Sequence, residues 1–158
     1  MNYLITSSLF IILTFQTFAQ SKKEVKAHKI KASLTTIIEN GKTINDAKTL
    51  FDAKGNEIEK TNYNKEGTIK SIHKFKYNSD GDELEDEQFD ANNKLIEKKS
   101  TKYNLLGERI EEAYYDNLGK LTKKEIFTYD GKGLKTERKT VDVEGKTLSV
   151  KKYVYITK

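Results

Sequence analysis

The chain contains no cysteine, which excludes disulfide staples, a thiol nucleophile and attachment through a lipid-modified cysteine. Charge is missing from the first twenty residues. An apolar run from Leu9 to Phe15 leads there into Thr17-Phe18-Ala19, with small residues three and one before Gln20. This pattern reads as a secretory signal over residues 1–19, cut after Ala19. It is broken by Thr6, Ser7, Ser8, Thr14, Gln16 and Thr17, whereas a membrane span needs about 20 predominantly apolar residues. No later apolar stretch is long enough to cross a bilayer, so the expected product is exported, periplasmic or extracellular, with no membrane span after signal removal and no lipid anchor. Apolar residues are also scarce, at 35% of the whole chain with many of them in the signal. A thick core is therefore not expected, and only a regular pattern argues against disorder.

The glycines supply that pattern. Gly41, Gly55, Gly67, Gly81, Gly107, Gly119, Gly133 and Gly145 are separated by 14, 12, 14, 26, 12, 14 and 12 residues. The one double gap is filled by Asn93, and Asn is the residue that best replaces Gly in the left-handed backbone region. Four residues before each mark stands a large apolar side chain: Ile37, Phe51, Tyr63, Tyr77, Phe89, Tyr103, Tyr115, Tyr129 and Val141, with Tyr155 next in phase. Three before it stand Asp52, Asn64, Asn78, Asp90, Asn104, Asp116, Asp130 and Asp142. Asx followed three residues later by Gly marks a type I turn closed by a left-handed residue, the three-residue hairpin loop.

Nine turns imply ten strands along the chain, built by repetition of a 26-residue unit of two strands and two turns. The fold class expected is all-β, a single-layer antiparallel β-meander occupying residues 30–158, after a flexible N-terminal segment at 20–29. The competing architecture is a parallel β-solenoid with one coil per unit. Charge favours the meander. The five long segments hold 15 Lys and 3 acidic residues, and the short segments 56–63, 82–89, 108–115 and 134–141 hold 5 basic and 11 acidic residues. Neighbouring strands are thus oppositely charged, which fixes register and discourages pairing of like strands. The net charge of +5 is a residue of this ladder and not a basic patch for nucleic acid.

Tyr115-Asp116-Asn117-Leu118-Gly119-Lys120-Leu121 and Phe127-Thr128-Tyr129-Asp130-Gly131-Lys132-Gly133-Leu134 resemble the YD repeats, Tyr-Asp-x-x-Gly-x-Leu, of RHS-type bacterial proteins. The resemblance runs in weakened form from about residue 37 to the end. It implies long β-sheets serving as shells or cell-surface material, with no catalysis in the repeat. This chain departs from the pattern in carrying Asn at several Asp positions and Lys where Arg is usual.

Candidate sites are few. His28 and His73 lack partners at ligand or triad spacing and read as surface residues. Asn78-x-Asp80-x-Asp82 has an alternating acidic spacing that suits Ca²⁺, but Gly81 stands at the wrong offset for a helix-loop-helix site, and a solvated strand flanked by lysines is the better reading. Glu111 and Glu112 are adjacent and fall on opposite strand faces, which makes a poor acid/base couple. The aromatic columns remain: Phe75, Tyr77, Phe127, Tyr129, Tyr153 and Tyr155 share one face by their spacing of two. Either they form the thin core with Ile58, Ile69, Leu84, Leu95, Ile110 and Leu121, or they contact a partner or stack on sugar rings. The expectation is a non-enzymatic exported β-repeat protein with a structural or macromolecular-interaction role, needing no cofactor or metal, whose partner is an unknown protein or glycan. The alternative is a carbohydrate-binding module that uses those six rings.

Overall fold

The structure is a computed structural model that describes residues 21–156; the expected signal at 1–19 lies outside the described residues. A short helix, α1 (Lys22–Ala27), precedes ten strands: β1 (Ala32–Glu39), β2 (Lys42–Phe51), β3 (Glu57–Tyr63), β4 (Ile69–Tyr77), β5 (Glu83–Phe89), β6 (Leu95–Tyr103), β7 (Arg109–Asp116), β8 (Leu121–Tyr129), β9 (Lys135–Val141) and β10 (Thr147–Lys152). They form one open sheet in sequence order. Every neighbouring pair is antiparallel, so the meander is the fold and the solenoid is not.

Turn chemistry explains why the chain reverses where it does. In each of the eight turns that begin with Asx, the glycine or Asn93 N–H donates to the Asx carbonyl, as in Gly119 to Asp116 at 3.0 Å. The Asx side-chain oxygen accepts two further backbone N–H bonds, from the second and fourth residues on. At Asp116 these come from Leu118 and Lys120, both at 2.9 Å. The glycines here have φ between 76° and 88°, and Asn93 has φ 61°, the region an L side chain enters only at a cost of roughly 1–2 kcal/mol. Burial pushes the Asp52 carboxyl up, but bonds from the Asn56 side chain and from turn N–H groups outweigh it and hold the group below its usual range.

The first turn differs from the expected type. Glu39 pairs directly with Lys42, and Asn40 (φ 51°) and Gly41 (φ 75°) are both left-handed. This is a two-residue type I′ loop, which Asn-Gly favours above other dipeptides.

The choice between Asp and Asn follows the side chain four residues on. Asn64, Asn78 and Asn104 each donate a side-chain N–H to an acceptor four residues on: Thr68 at 2.7 Å, Asp82 at 3.0 Å and Glu108 at 2.7 Å. Where Asp stands first, the fourth residue is Asn56, Lys94, Lys120, Leu134 or Lys146, and Asn56 donates back to Asp52 at 2.7 Å. A carboxylate is therefore avoided wherever its turn already holds an acceptor. Asn104→Asp should accordingly cost about 1 kcal/mol at neutral pH by opposing Glu108. Urea unfolding should show the loss, and Glu108→Lys in the same chain should recover it.

A register shift follows each of these turns. Phe51 faces Glu57 and Leu50 faces Glu59, so Ile58 is an extra, bulged residue, and the same slip places Lys70, Leu84, Ile96, Ile110, Thr122, Thr136 and Leu148 in bulges. Bulges raise local twist and turn a side chain out of the alternation. That corrects one expectation, since Ile58, Leu84 and Ile110 are exposed and do not join a core. Among the described residues the buried apolar side chains are Val25, Ala47, Ala113, Phe127 and Val141, accompanied by Thr49, Thr61, Ser71 and Thr101. Hydrogen bonding and pairing across the sheet carry the fold.

The expected flexible lead-in at 20–29 instead carries α1. Ser21 and Glu24 form a reciprocal capping box, a start signal with a clear mechanism, and His28 caps the other end. Val25 is 1% exposed, its carbonyl accepting from Ile30 N–H. A Cβ on Gly55 would stand 2.5 Å from the Lys22 carbonyl oxygen, so glycine serves there both for its positive φ and for close approach of the helix.

Candidate functional site

Registers across the sheet sort side chains onto two faces. Phe75, Asp86, Lys99, Tyr114 and Lys123 form one row, and Thr101, Glu112, Glu125, Thr140 and Ser149 form another on the same face. The six aromatic residues named from sequence project from this face, at the end where the even-numbered strands finish. They do not form one cluster. Strands are about 4.8 Å apart, so Phe75 and Tyr77 on β4 lie roughly 19 Å from Phe127 and Tyr129 on β8, and β8 lies about 10 Å from Tyr153 and Tyr155.

The tyrosines have a repeated structural task that spacing alone did not reveal. Tyr77, Tyr103, Tyr129 and Tyr155 each donate the phenol proton to a carbonyl twenty residues back: Glu57 at 2.7 Å, Glu83 at 3.0 Å, Arg109 at 2.9 Å and Lys135 at 2.8 Å. Donors and acceptors both recur every 26 residues, so each bond ties the end of an even strand to the start of the preceding odd one. Burial pushes the phenols of Tyr77, Tyr103 and Tyr129 up, with neighbouring carboxylates adding to it.

Cations cover several rings. Phe127 is 6% exposed, lying between Arg109 at 5.1 Å and Lys135 at 4.7 Å. Lys135 and Lys151 flank Tyr153 at 5.9 and 5.4 Å, and Lys123 lies 4.3 Å above Tyr114. Such contacts are worth about 0.5–1 kcal/mol each at exposed sites. Phe127 is thus interior, whereas Tyr155 is 50% exposed and Tyr153 is half-buried.

Charged groups pair as the alternation predicts. Glu85 on β5 accepts from Lys76 on β4 and Lys98 on β6, both at 2.6 Å. One repeat later Glu111 meets Lys102 at 2.9 Å and Lys124 at 3.6 Å. Hydrogen bonds from Lys76 and Lys98 hold the Glu85 carboxyl low; those from Lys102 and Lys124 do the same for Glu111. Bonding to Glu85 raises Lys76, and bonding to Glu111 raises Lys102. A carboxyl with a lowered folded pKa stabilises above its unfolded value of about 4.3 and loses that contribution as pH falls through the folded value. The lysines stabilise up to about pH 10 and lose their share above it. Thermal midpoints should therefore decline below about pH 4.3, and Glu85→Gln should flatten that acid slope.

His73 is not a free surface residue. It is half-buried, with Nδ1 3.0 Å from Asp86 Oδ1, and its ring stacks on Phe75 at 6.1 Å. In the acidic turn Asn78 Oδ1 accepts from the backbone N–H groups of Asp80 and Asp82, each at 2.9 Å, and Asn78 Nδ2 donates to the Asp82 carboxylate at 3.0 Å. Glu111 and Glu112 do face opposite ways. Glu112 is buried and accepts from Arg109 at 2.7 Å and from the Tyr114 hydroxyl at 3.0 Å. Among the described residues no group of three His, Asp or Glu is placed to hold a metal ion, and no helix is long and apolar enough to cross a membrane.

The edges carry fewer such contacts, chiefly Glu39 of β1 with Lys65 at 3.2 Å and Lys151 of β10 over Tyr153. All of β10 is exposed, and so is β1 apart from Ser33. β1 displays Leu34 (58%) and Ile38 (74%), and β10 displays Val150 (46%).

These features define a single-layer β-repeat protein with tiled faces and two open edges. The chain belongs to a family described as "Uncharacterised protein", whose model matches residues 14–158. No curated protein matches it. Among solved structures it is similar to a protein of unknown function from Bacteroides fragilis, at 13% identity and TM-score 0.46, over 80% of this chain and 96% of that one. It also matches TarM at 22% identity and TM-score 0.30, over 80% of this chain and 22% of that one. A GtfA/B complex bound to UDP and GlcNAc matches at 13% identity and TM-score 0.30, over 77% of this chain and 24% of that one.

Proposed function

We propose that this is an exported, non-enzymatic β-repeat protein with a structural or macromolecular-contact role in the periplasm or at the cell surface. The observation that carries the reading is the pair of open edges. Both faces are occupied by ion pairs, cation–ring contacts and tyrosine bonds within the sheet, while β1 and β10 leave backbone donors and acceptors available to an added strand. The resemblance to YD repeats and the uncharged N-terminal segment support the compartment. Fractionation of producing cells, followed by protease treatment of intact cells, tests it: the protein should leave the cytoplasm, and retention there would reject the reading.

A carbohydrate-binding role is the second reading. It is favoured by Tyr153 and Tyr155 beside Lys135 and Lys151, a combination suited to sugar rings that carry anionic groups. A glycan array with wild type and Tyr155→Ala decides it, since uniform absence of binding removes this role.

A further inference from the structure

We infer that the two edges of the sheet are partners for one another in different copies of the chain, β10 of one copy adding to β1 of the next. The inference rests on the macromolecular-contact reading above and names its partner. Strand number makes the joint possible. Ten antiparallel strands in sequence order leave β1 and β10 running in opposite directions, so a second copy set beside the first without being turned over continues both faces and the antiparallel ladder.

Hydrogen-bond phase agrees. The Lys31 carbonyl accepts from Phe51 N–H and Tyr153 N–H donates to the Thr136 carbonyl, so residues 31 and 153 point inward. By alternation the backbone groups of Leu34, Thr36 and Ile38 on one edge, and of Val150 and Lys152 on the other, point outward.

Charge and apolar surface select this pairing. Of the odd strands, β3, β5 and β7 are net acidic and β9 is net basic; β1, the odd strand with an open edge, has one acidic residue, Glu39, and no Lys, against Lys151 and Lys152 on β10. Pairing β10 with a second β10 would gather the Lys151 and Lys152 cations of both copies at one interface with no acidic residue on either strand, which is destabilising. On the shared face, Leu34 and Ile38 of β1 would meet Val150 of β10. Edges exposed to water are ordinarily blunted by Lys or Pro. β1 contains neither and carries a Leu-Thr-Thr-Ile-Ile run of high β propensity. The interface is heterologous and does not close by itself, so copies should add in series, each lengthening the sheet by about 48 Å.

Sedimentation velocity over a concentration series tests this. The purified protein should give a ladder of protomer multiples. Thr36→Pro and Val150→Pro each remove one outward N–H on an edge, where proline is tolerated. Each variant should keep its β circular-dichroism spectrum and remain monomeric, a loss of association of tenfold or more. Mixed together they should form a one-to-one dimer and nothing larger, because each retains the edge the other lacks. A peptide of residues 146–156 should dissolve the wild-type ladder, a readout independent of how the variants fold. A wild type that stays monomeric at every concentration, self-dimerisation of either variant alone, or indifference to the peptide would overturn the inference. None of these outcomes bears on where the protein is exported.

Discussion

Deleting Ser79 through Asn104, a span of one 26-residue repeat, should leave a folded eight-stranded sheet. The cut joins Asn78 to Leu105, so the new turn reads Asn78-Leu105-Leu106-Gly107-Glu108 and retains an amide with an acceptor four residues on. β4 then meets β7 in place of β5. Lys76 falls opposite Glu111, as it now falls opposite Glu85, and Tyr103 leaves together with its acceptor at Glu83. Every pairwise relation survives one repeat further along, so the β spectrum and a single transition should persist, with a smaller denaturant slope because less surface is exposed on unfolding.

A twelve-residue deletion of Ser79 through Asp90 should fail. It removes one strand, joins even β4 to even β6, and brings Lys74 opposite Lys99. Tyr103 also loses its acceptor, the Glu83 carbonyl, which lies in the deleted strand. Loss of the cooperative transition in this shorter deletion, beside its retention in the longer one, is the expected contrast. The reverse result would show that the two-strand unit is not the unit of stability.

The sequence made this unit legible because turn chemistry is local. An Asx oxygen reaches N–H groups two and four residues away, and a left-handed φ selects Gly or Asn at one position, so a spacing of 12 and 14 reports nine chain reversals directly. Charge sign was legible for the same reason, since Lys and Glu alternate by strand. The bulges were not. Ile58, Leu84, Ile96, Ile110 and Leu148 stand three residues after their turn marks, an apolar recurrence visible in the spacing. That recurrence reads as core, because a bulge shows only when two strands are laid in register. The tyrosine bonds were missed likewise, as a phenol and a carbonyl twenty residues apart meet only across a hairpin. The capping box of α1 at Ser21 and Glu24 was present in the sequence, and the polar composition of the segment concealed it.

The largest single-residue effect should come from Arg109. Its guanidinium donates to Glu112 at 2.7 Å and lies over the Phe127 ring. Register places Glu112 directly opposite Glu125 across β7 and β8, an arrangement of like charges that is unfavourable unless cations compensate it. Glu112 has Arg109 and, at 4.0 Å, Lys99; Glu125 has Arg138 at 3.5 Å. Arg109→Ala therefore removes the close partner of a buried carboxylate, leaves two carboxylates facing each other, and uncovers a buried phenyl ring. The expected cost is about 2–4 kcal/mol, below the upper end for a fully buried pair because Arg109 itself is partly solvated. Glu112→Gln should cost about 1 kcal/mol on its own, since an amide oxygen still accepts from Tyr114. The double variant separates charge from packing: if like-charge opposition dominates, Arg109→Ala with Glu112→Gln should be more stable than Arg109→Ala alone. Additive losses in guanidinium unfolding would assign the role of Arg109 to covering Phe127 instead.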